Sequence, residues 1–294
     1  MAGEDLKNRI VMINSFKGGA GKTTAALCRC VTEYKDKTYH RIYYVDLDIL
    51  GTGVNYVLSL EKQQVYYNDI GGAKQFGLRQ KVQEILNDEE VGFYAAVLNP
   101  ISRIKQSYEG QDMLRSCPNV ERGIFLEKVK ELLNQMLSNE GGNLIVLDCA
   151  PGITYMEESI LATLYDMGKD SLNKVAIEEI YVTTPDASHI RKTIDNLNEC
   201  GAYFKQHNRT VTVLINDLYD CEGMDRTARD EQDENFHFVK EKVIEKIKKE
   251  LKIPSAKLLY KRYSAELMRG SIMNNEIKLV NRSDDFYTWP RSDD

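Results

Sequence analysis

No stretch of this chain approaches the roughly eighteen consecutive apolar residues that would cross a bilayer, and its start lacks the charged-then-apolar pattern of a secretory leader. A soluble, cytoplasmic protein is therefore the expectation. The six cysteines include no Cys-x-x-Cys pair, which argues against a cysteine-held metal cluster and suits a reducing compartment. Cys28 and Cys30 fall two apart in a predicted helix and so on different faces, while Cys117, Cys149, Cys200 and Cys221 are isolated. Cys149 reads as a small buried side chain rather than a redox sensor. The four histidines, His40, His189, His207 and His237, show no metal-ligand spacing. What the chain does have is apolar material for a core, 42% of its 294 residues. Strand-like and helix-like segments alternate from Arg9 to about Tyr260. That alternation favours one large α/β unit over the two domains that length alone would allow.

The most informative stretch is Lys17-Gly18-Gly19-Ala20-Gly21-Lys22-Thr23-Thr24. A triphosphate needs inward-pointing backbone N–H groups, a cation on its β/γ oxygens and a hydroxyl for Mg²⁺, all at the positive end of a helix. Arg9 to Asn14 is a short apolar run that reads as a buried parallel strand feeding the loop. Gly18, Gly19 and Gly21 permit close backbone approach and positive φ. Lys22 is placed for the β/γ oxygens, Thr23 for the metal and Thr24 for the α-phosphate. Ala25 to Tyr34 continues as the first helix. Strand, loop and helix in that order distinguish a phosphate site from a glycine-rich turn.

Two further apolar strands end in acids. Arg41 to Asp48 (Arg-Ile-Tyr-Tyr-Val-Asp-Leu-Asp) closes on Asp46 and Asp48, spaced to share a face. Asn143 to Thr154 carries Asp148 at its end, then Cys-Ala-Pro-Gly. In a doubly wound sheet, ligands lie beyond the carboxyl ends of the strands, so these acids arrive near the phosphates. Asp148 fits a carboxylate that bonds an Mg²⁺ water, and Gly152 could present its N–H to a γ-phosphate.

The octapeptide, with a second lysine five residues before Lys22, resembles the deviant Walker A motif of the ParA/MinD ATPases. The two acid-ended strands are similar to that family's switch I and switch II. The resemblance implies a P-loop NTPase fold, a doubly wound, mostly parallel sheet between helices in three α/β/α layers, using ATP and Mg²⁺. It implies that Gly18, Gly19, Ala20, Gly21, Lys22, Thr23 and Thr24 hold phosphates and that Asp48 orients the attacking water. Asp46 would lie near the hydrated metal, with Thr23 and Asp148 completing its set. Lys17 would act across an ATP-dependent homodimer, offsetting charge as phosphoryl transfer proceeds. Switch II, with Gly152, would be ordered by the γ-phosphate and released after hydrolysis. Ile49 stands where many partition ATPases carry proline, which weakens any narrower assignment. No Asn/Thr-Lys-x-Asp guanine signature occurs, in keeping with ATP.

Glu179 to Pro185 resembles the family strand ending Thr-Thr-Pro before a long helix, here Asp186 to Phe204. Thr210 to Asp217 places Asn216 where relatives commonly set an asparagine against the adenine edge. A plain turn residue is the other reading of Asn216. Residues 51 to 120, with a possible strand at Gly92 to Leu98, and the charged stretch 217 to 235, with eight acids against Arg226 and Arg229, read as insertions on one domain spanning 1–294. From Lys240 to Arg269 ten Lys/Arg face four Glu, a local +6 in a chain of net −6. Two readings stay open there. One is a contact to nonspecific DNA; the other is an amphipathic helix with a solvated lysine face and a buried stripe of Phe238, Val243, Ile244, Ile247 and Leu251. The polar tail 281–294 is acidic and contains Pro290, unlike a basic membrane helix, so no membrane partner is expected. Only Tyr287 lies in the last 30 residues, against a tail-phosphorylating kinase.

The functional expectation is a slowly hydrolysing, dimeric ATP switch for DNA partition or intracellular positioning. A regulatory or adaptor ATPase whose dimer recruits a protein effector without DNA is the alternative. A small-molecule ligase is disfavoured by Lys17.

Overall fold

Three apolar runs build the centre of the sheet. The computed structural model describes residues 8–47, 66–70, 73–77, 83–87, 90–97, 119–138, 141–152, 155–169, 175–206, 209–218, 241–262 and 289. Within it, Arg9–Ser15 forms β1, Arg41–Asp46 forms β2 and Asn143–Pro151 forms β7. The remaining strands are β3 (Tyr66–Ile70), β4 (Ala73–Gly77), β5 (Gln83–Asn87), β6 (Gly92–Val97), β8 (Ala176–Thr183), β9 (Val211–Leu218) and β10 (Lys257–Arg262). The helices are α1 (Lys22–Lys35), α2 (Asn119–Leu137), α3 (Tyr155–Lys169), α4 (Ala187–Gln206) and α5 (241–250).

One sheet of eight strands runs in the order β10-β9-β8-β1-β7-β2-β6-β5. Every neighbouring pair is parallel except β5 with β6. Strands β3 and β4 pair separately as an antiparallel hairpin. From β1 the chain moves to one side through β2 and β6, then returns to the other side through β8, β9 and β10. The switch in direction at β1 opens a crevice beyond its carboxyl end, where open α/β sheets bind ligands. The α/β alternation and the doubly wound, mostly parallel sheet that the resemblance implied are both observed.

Alternation along the central strands sends side chains to two faces, and both are buried, as the continuous apolar runs require. Val11, Ile13, Ile42, Tyr44, Leu144 and Val146 lie beneath α1. Ile10, Met12, Tyr43, Val45, Ile145 and Leu147 pack on the opposite face against α2, through Val129, Leu132 and Leu133, and against α3, through Ile160 and Leu164. Burying a side chain of this size contributes about 2 kcal/mol. Helix α4 continues that second layer, Leu197 and Phe204 meeting Tyr181, Val211 and Val213. Its other end, Ile190 and Ile194, meets Ile215 together with Val243 and Ile247 of α5. The stripe expected on α5 is therefore buried at Val243 and Ile247 and partly buried at Ile244 and Leu251; Phe238 lies outside the described residues.

Two features depart from the sequence expectations. Helix α1 is buried at every position from Ala25 to Val31, so Cys28 and Cys30 are both fully buried although they project differently. The tail, read as polar, returns at one point to cover this helix. Trp289 is 7% exposed, donates its backbone N–H to Thr32 Oγ1 at 2.7 Å and lies 5.3 Å from the Arg29 guanidinium. The indole buries its apolar body against α1 and sets its ring near the Arg29 guanidinium. Apart from Trp289 the tail lies outside the described residues, as do 219–235 of the charged stretch and much of 51–120. No helix among the described residues is long and apolar enough to cross a membrane.

Candidate functional site

The loop after β1 is shaped by two residues in the left-handed region, Gly19 at φ 78° and Gly21 at φ 85°. Gly21 is also the N-cap of α1. Its carbonyl takes the first helical bond, from the Ala25 N–H at 2.9 Å. No side chain caps this helix and its first turn holds no acid. The positive end of the dipole is therefore offset by nothing from within α1, and an anion is the natural complement. Lys22, the first helical residue, is 8% exposed, while Thr23 and Thr24 are partly exposed beside it.

The acids arrive from the sheet. Asp46 and Asp148 are direct partners in the β2/β7 register, so their side chains emerge side by side, at the last residue of β2 and within β7, which runs on to Pro151. They are 4% and 2% exposed. Thr23 Oγ1 donates to Asp148 Oδ2 at 2.7 Å, tying the helix start to the strand end. A second donor, absent from the sequence reading, reaches the same oxygen: the Tyr44 hydroxyl, at 2.6 Å. Burial, with the charges of Asp148 and Asp46, pushes the Tyr44 phenol well above its ordinary range, so it stays a donor. The signal for it was available. Tyr44 sits two residues before Asp46 and so on the same face, and a buried phenol requires a hydrogen-bond partner.

Two buried carboxylates in register, joined to a threonine hydroxyl, make a set of hard oxygen donors. That set suits Mg²⁺, which commonly takes few protein oxygens and completes its shell with water and phosphate. Among the described residues no group of three or more His, Cys, Asp or Glu could form an all-protein cage.

Gly152 adopts φ 93°, and its N–H donates to Ser15 O at 2.7 Å. A γ-phosphate would have to compete with that carbonyl. Asn216 is 1% exposed and lies under the loop, its Nδ2 donating to Ala20 O at 3.1 Å. A Cβ on Gly21 would sit 2.1 Å from that nitrogen, so this glycine is needed both for φ and for room. The asparagine amide thus supports the loop in this structure. Asp48 lies outside the described residues.

Lys17 is exposed on the loop and reaches α4. Its Nζ donates to Ser188 Oγ at 2.7 Å, and the Ser188 hydroxyl donates in turn to Asp186 Oδ1. Asp186 caps α4, accepting the backbone N–H groups of Ser188 at 2.9 Å and His189 at 3.2 Å. The Ser188 hydroxyl, then these N–H groups, and least the Lys17 charge, hold its carboxyl below the ordinary range. Burial, then Lys17, pulls His189 down from 6.5, with Asp186 opposing. Sequence reading located Lys17 but not its partners, because 171 residues separate it from Ser188.

A strand, a glycine loop and an uncapped helix at the switch point, facing paired strand-end carboxylates, define a P-loop NTPase architecture. The chain matches no protein-family model, and no curated protein is similar to it in sequence. Solved structures share its fold. A ParA family ATPase from Chlorobium tepidum superposes with a TM-score of 0.53 at 18% identity, over 92% of this chain and 89% of that one. A putative plasmid partition protein from Borrelia burgdorferi, bound to AMPPNP, gives 0.52 at 13% over 96% and 94%. The septum site-determining protein MinD from Pyrococcus horikoshii, complexed with Mg-ADP, gives 0.50 at 17% over 94% and 90%. The fold of this chain is that of the ParA/MinD-type ATPases.

Proposed function

We propose that this protein is a Mg²⁺-dependent ATPase working as a homodimer whose partners change with its nucleotide state. One observation carries the reading. The uncapped start of α1, with Lys22 and Thr23, faces the in-register carboxylates of Asp46 and Asp148. The AMPPNP and Mg-ADP complexes of proteins with this fold support it.

In this reading the N–H groups of Gly18 to Thr24 and the Lys22 ammonium hold the β- and γ-phosphate oxygens. Thr23 and Asp148 hold the metal and its waters, with Asp46 beside them. When bound there, Mg²⁺ would supply positive charge to offset that building on the phosphate oxygens. Asp48 orients the attacking water. Lys17 leaves Ser188 to meet the nucleotide of the second subunit. Gly152 exchanges Ser15 O for the γ-phosphate, and the loss of that phosphate lets it return. A loop bond that alternates between a carbonyl and a ligand is a means of converting hydrolysis into shape.

The first biological role is partition or positioning on nonspecific DNA, favoured by the exposed lysines Lys248, Lys249 and Lys252 on and just after α5. The second is an adaptor whose ATP dimer recruits a protein. ATPase rate and dimer mass, with and without duplex DNA across a salt series, separate them. DNA stimulation that fades steeply with salt supports the first. An Asp48→Ala protein trapped as an ATP dimer that ignores DNA at low salt leaves the adaptor. Unchanged hydrolysis and dimerisation in Lys17→Ala removes the role given to Lys17.

A further inference from the structure

We propose that Tyr44 is a positioning residue for the metal: its hydroxyl holds the Asp148 carboxylate in the orientation that Mg²⁺ binding requires. This rests on the Mg²⁺-nucleotide reading above.

Tyr44 lies within β2 and is fully buried on the face beneath α1. Its neighbours there, Ile42, Val11, Ile13 and Val146, are apolar, so phenylalanine would meet every packing demand of the position. The hydroxyl instead reaches the acidic end of the same face, where Asp46 and Asp148 stand. A buried hydroxyl without a partner destabilises a fold, and the partner this one finds is the Asp148 carboxylate at 2.6 Å. That distance is typical of an O–H donating to a charged oxygen.

The arrangement around Oδ2 explains what the bond does. A carboxylate on a strand end can turn about its side-chain torsions, and one hydrogen bond leaves much of that freedom. Here two donors converge on the same oxygen from different elements, Tyr44 from β2 and Thr23 from α1. Together they set the carboxylate plane and hence the direction of its other oxygen. They also set Thr23. A threonine that spends its O–H on Asp148 has only lone pairs left to offer, which is what a cation needs. Tyr44 thus acts on the metal through Asp148 and Thr23 without touching it, as outer-shell partners of metal ligands do.

Tyr44→Phe keeps the ring and removes the hydroxyl. The readout is the Mg²⁺ concentration at which ATP binding is half-restored after chelation, set against ATP affinity in EDTA. The expected result is a Mg²⁺ midpoint raised about 10-fold with the metal-free affinity unchanged. In an Asp148→Asn background Tyr44→Phe is expected to add nothing to the midpoint, since its route to the metal is already cut. An unchanged midpoint in folded Tyr44→Phe overturns the proposal. So does an equal loss of affinity with and without Mg²⁺, which would make Tyr44 a support of the loop, or full additivity with Asp148→Asn. If the unaltered protein binds ATP with no dependence on Mg²⁺, the reading beneath the proposal falls with it. A Mg²⁺-dependent protein indifferent to Tyr44→Phe loses only the proposal.

Discussion

Among the described residues, the buried charged clusters at Glu179 and at Asp46 and Asp148 differ in a way that separates scaffold from site. Glu179, on β8, is fully buried and accepts the Tyr165 and Tyr181 hydroxyls at 2.8 and 3.0 Å. Arg209 binds it through both Nε and Nη2, with its Cζ 4.7 Å from the centre of the Phe204 ring and 5.1 Å from that of Tyr165. Burial pulls the guanidinium down, but the Glu179 hydrogen bonds and charge outweigh it and hold Arg209 above its ordinary value. Here a buried carboxylate meets a buried cation and two phenol donors. At Asp46 and Asp148 two like charges stand in register, and the donors described at Asp148 Oδ2 are neutral hydroxyls. A pair of carboxylates on adjacent strands suits a divalent cation. This pair also sits at the switch point beside the uncapped α1, whereas the Glu179 cluster joins β8, α3 and the start of β9.

The comparison breaks if either cluster behaves like the other. Arg209→Met leaves Glu179 buried without its cation, and is expected to lower unfolding stability by about 3–5 kcal/mol. Chemical denaturation measures this, and nucleotide affinity of the folded fraction is expected to hold. Lys22→Ala is expected to do the reverse, cutting ATP hydrolysis by roughly 100-fold or more while moving the denaturation midpoint less than the Arg209 variant does. Gly21→Ala sharpens the site side. Strain in the left-handed region costs about 1–3 kcal/mol, and the contact with Asn216 Nδ2 adds to it. Adding Asn216→Ala to that variant should recover the contact but not the strain, which a two-mutation cycle in urea would resolve.

The smallest effect is at His189. Its folded value lies below 6.5, so folding favours the neutral imidazole. The stability it contributes is present above that pH and lost as pH falls through the folded value. An NMR titration should show His189 moving up in Lys17→Ala, with one opposing charge gone, and down in Asp186→Asn. No movement in Lys17→Ala would mean that Lys17 does not rest beside α4 in solution.

Much of the site was legible in order along the chain because each part is local. A glycine loop between strand and helix, or an acid ending an apolar run, is a pattern a few residues long. Gly19, Gly21, Asp46 and Asp148 stand in the loop and strands where the pattern placed them, whereas Lys22 and Thr23, read as loop, form the first turn of α1. Less legible were the contacts between those parts. Tyr44 looked like one more β-forming aromatic, since its partner lies 104 residues away. Asn216 was read either toward a base or as a turn residue; it stands within β9 and is bonded beneath the loop. Residues 66–77 gave no expectation of a hairpin, although Gly71-Gly72 stands between two runs that pair as β3 and β4.

By itself the sequence determined a parallel α/β sheet, a phosphate loop and the strands that carry its acids, because hydrophobic period and glycine conformational freedom act over a few residues. Only the tertiary structure decided which polar groups meet. It set Tyr44 and Thr23 on one oxygen, Lys17 on Ser188, Arg209 on Glu179 and Trp289 on α1. Those pairings depend on strand register and on which face each strand turns to which helix, and neither is encoded in any single segment.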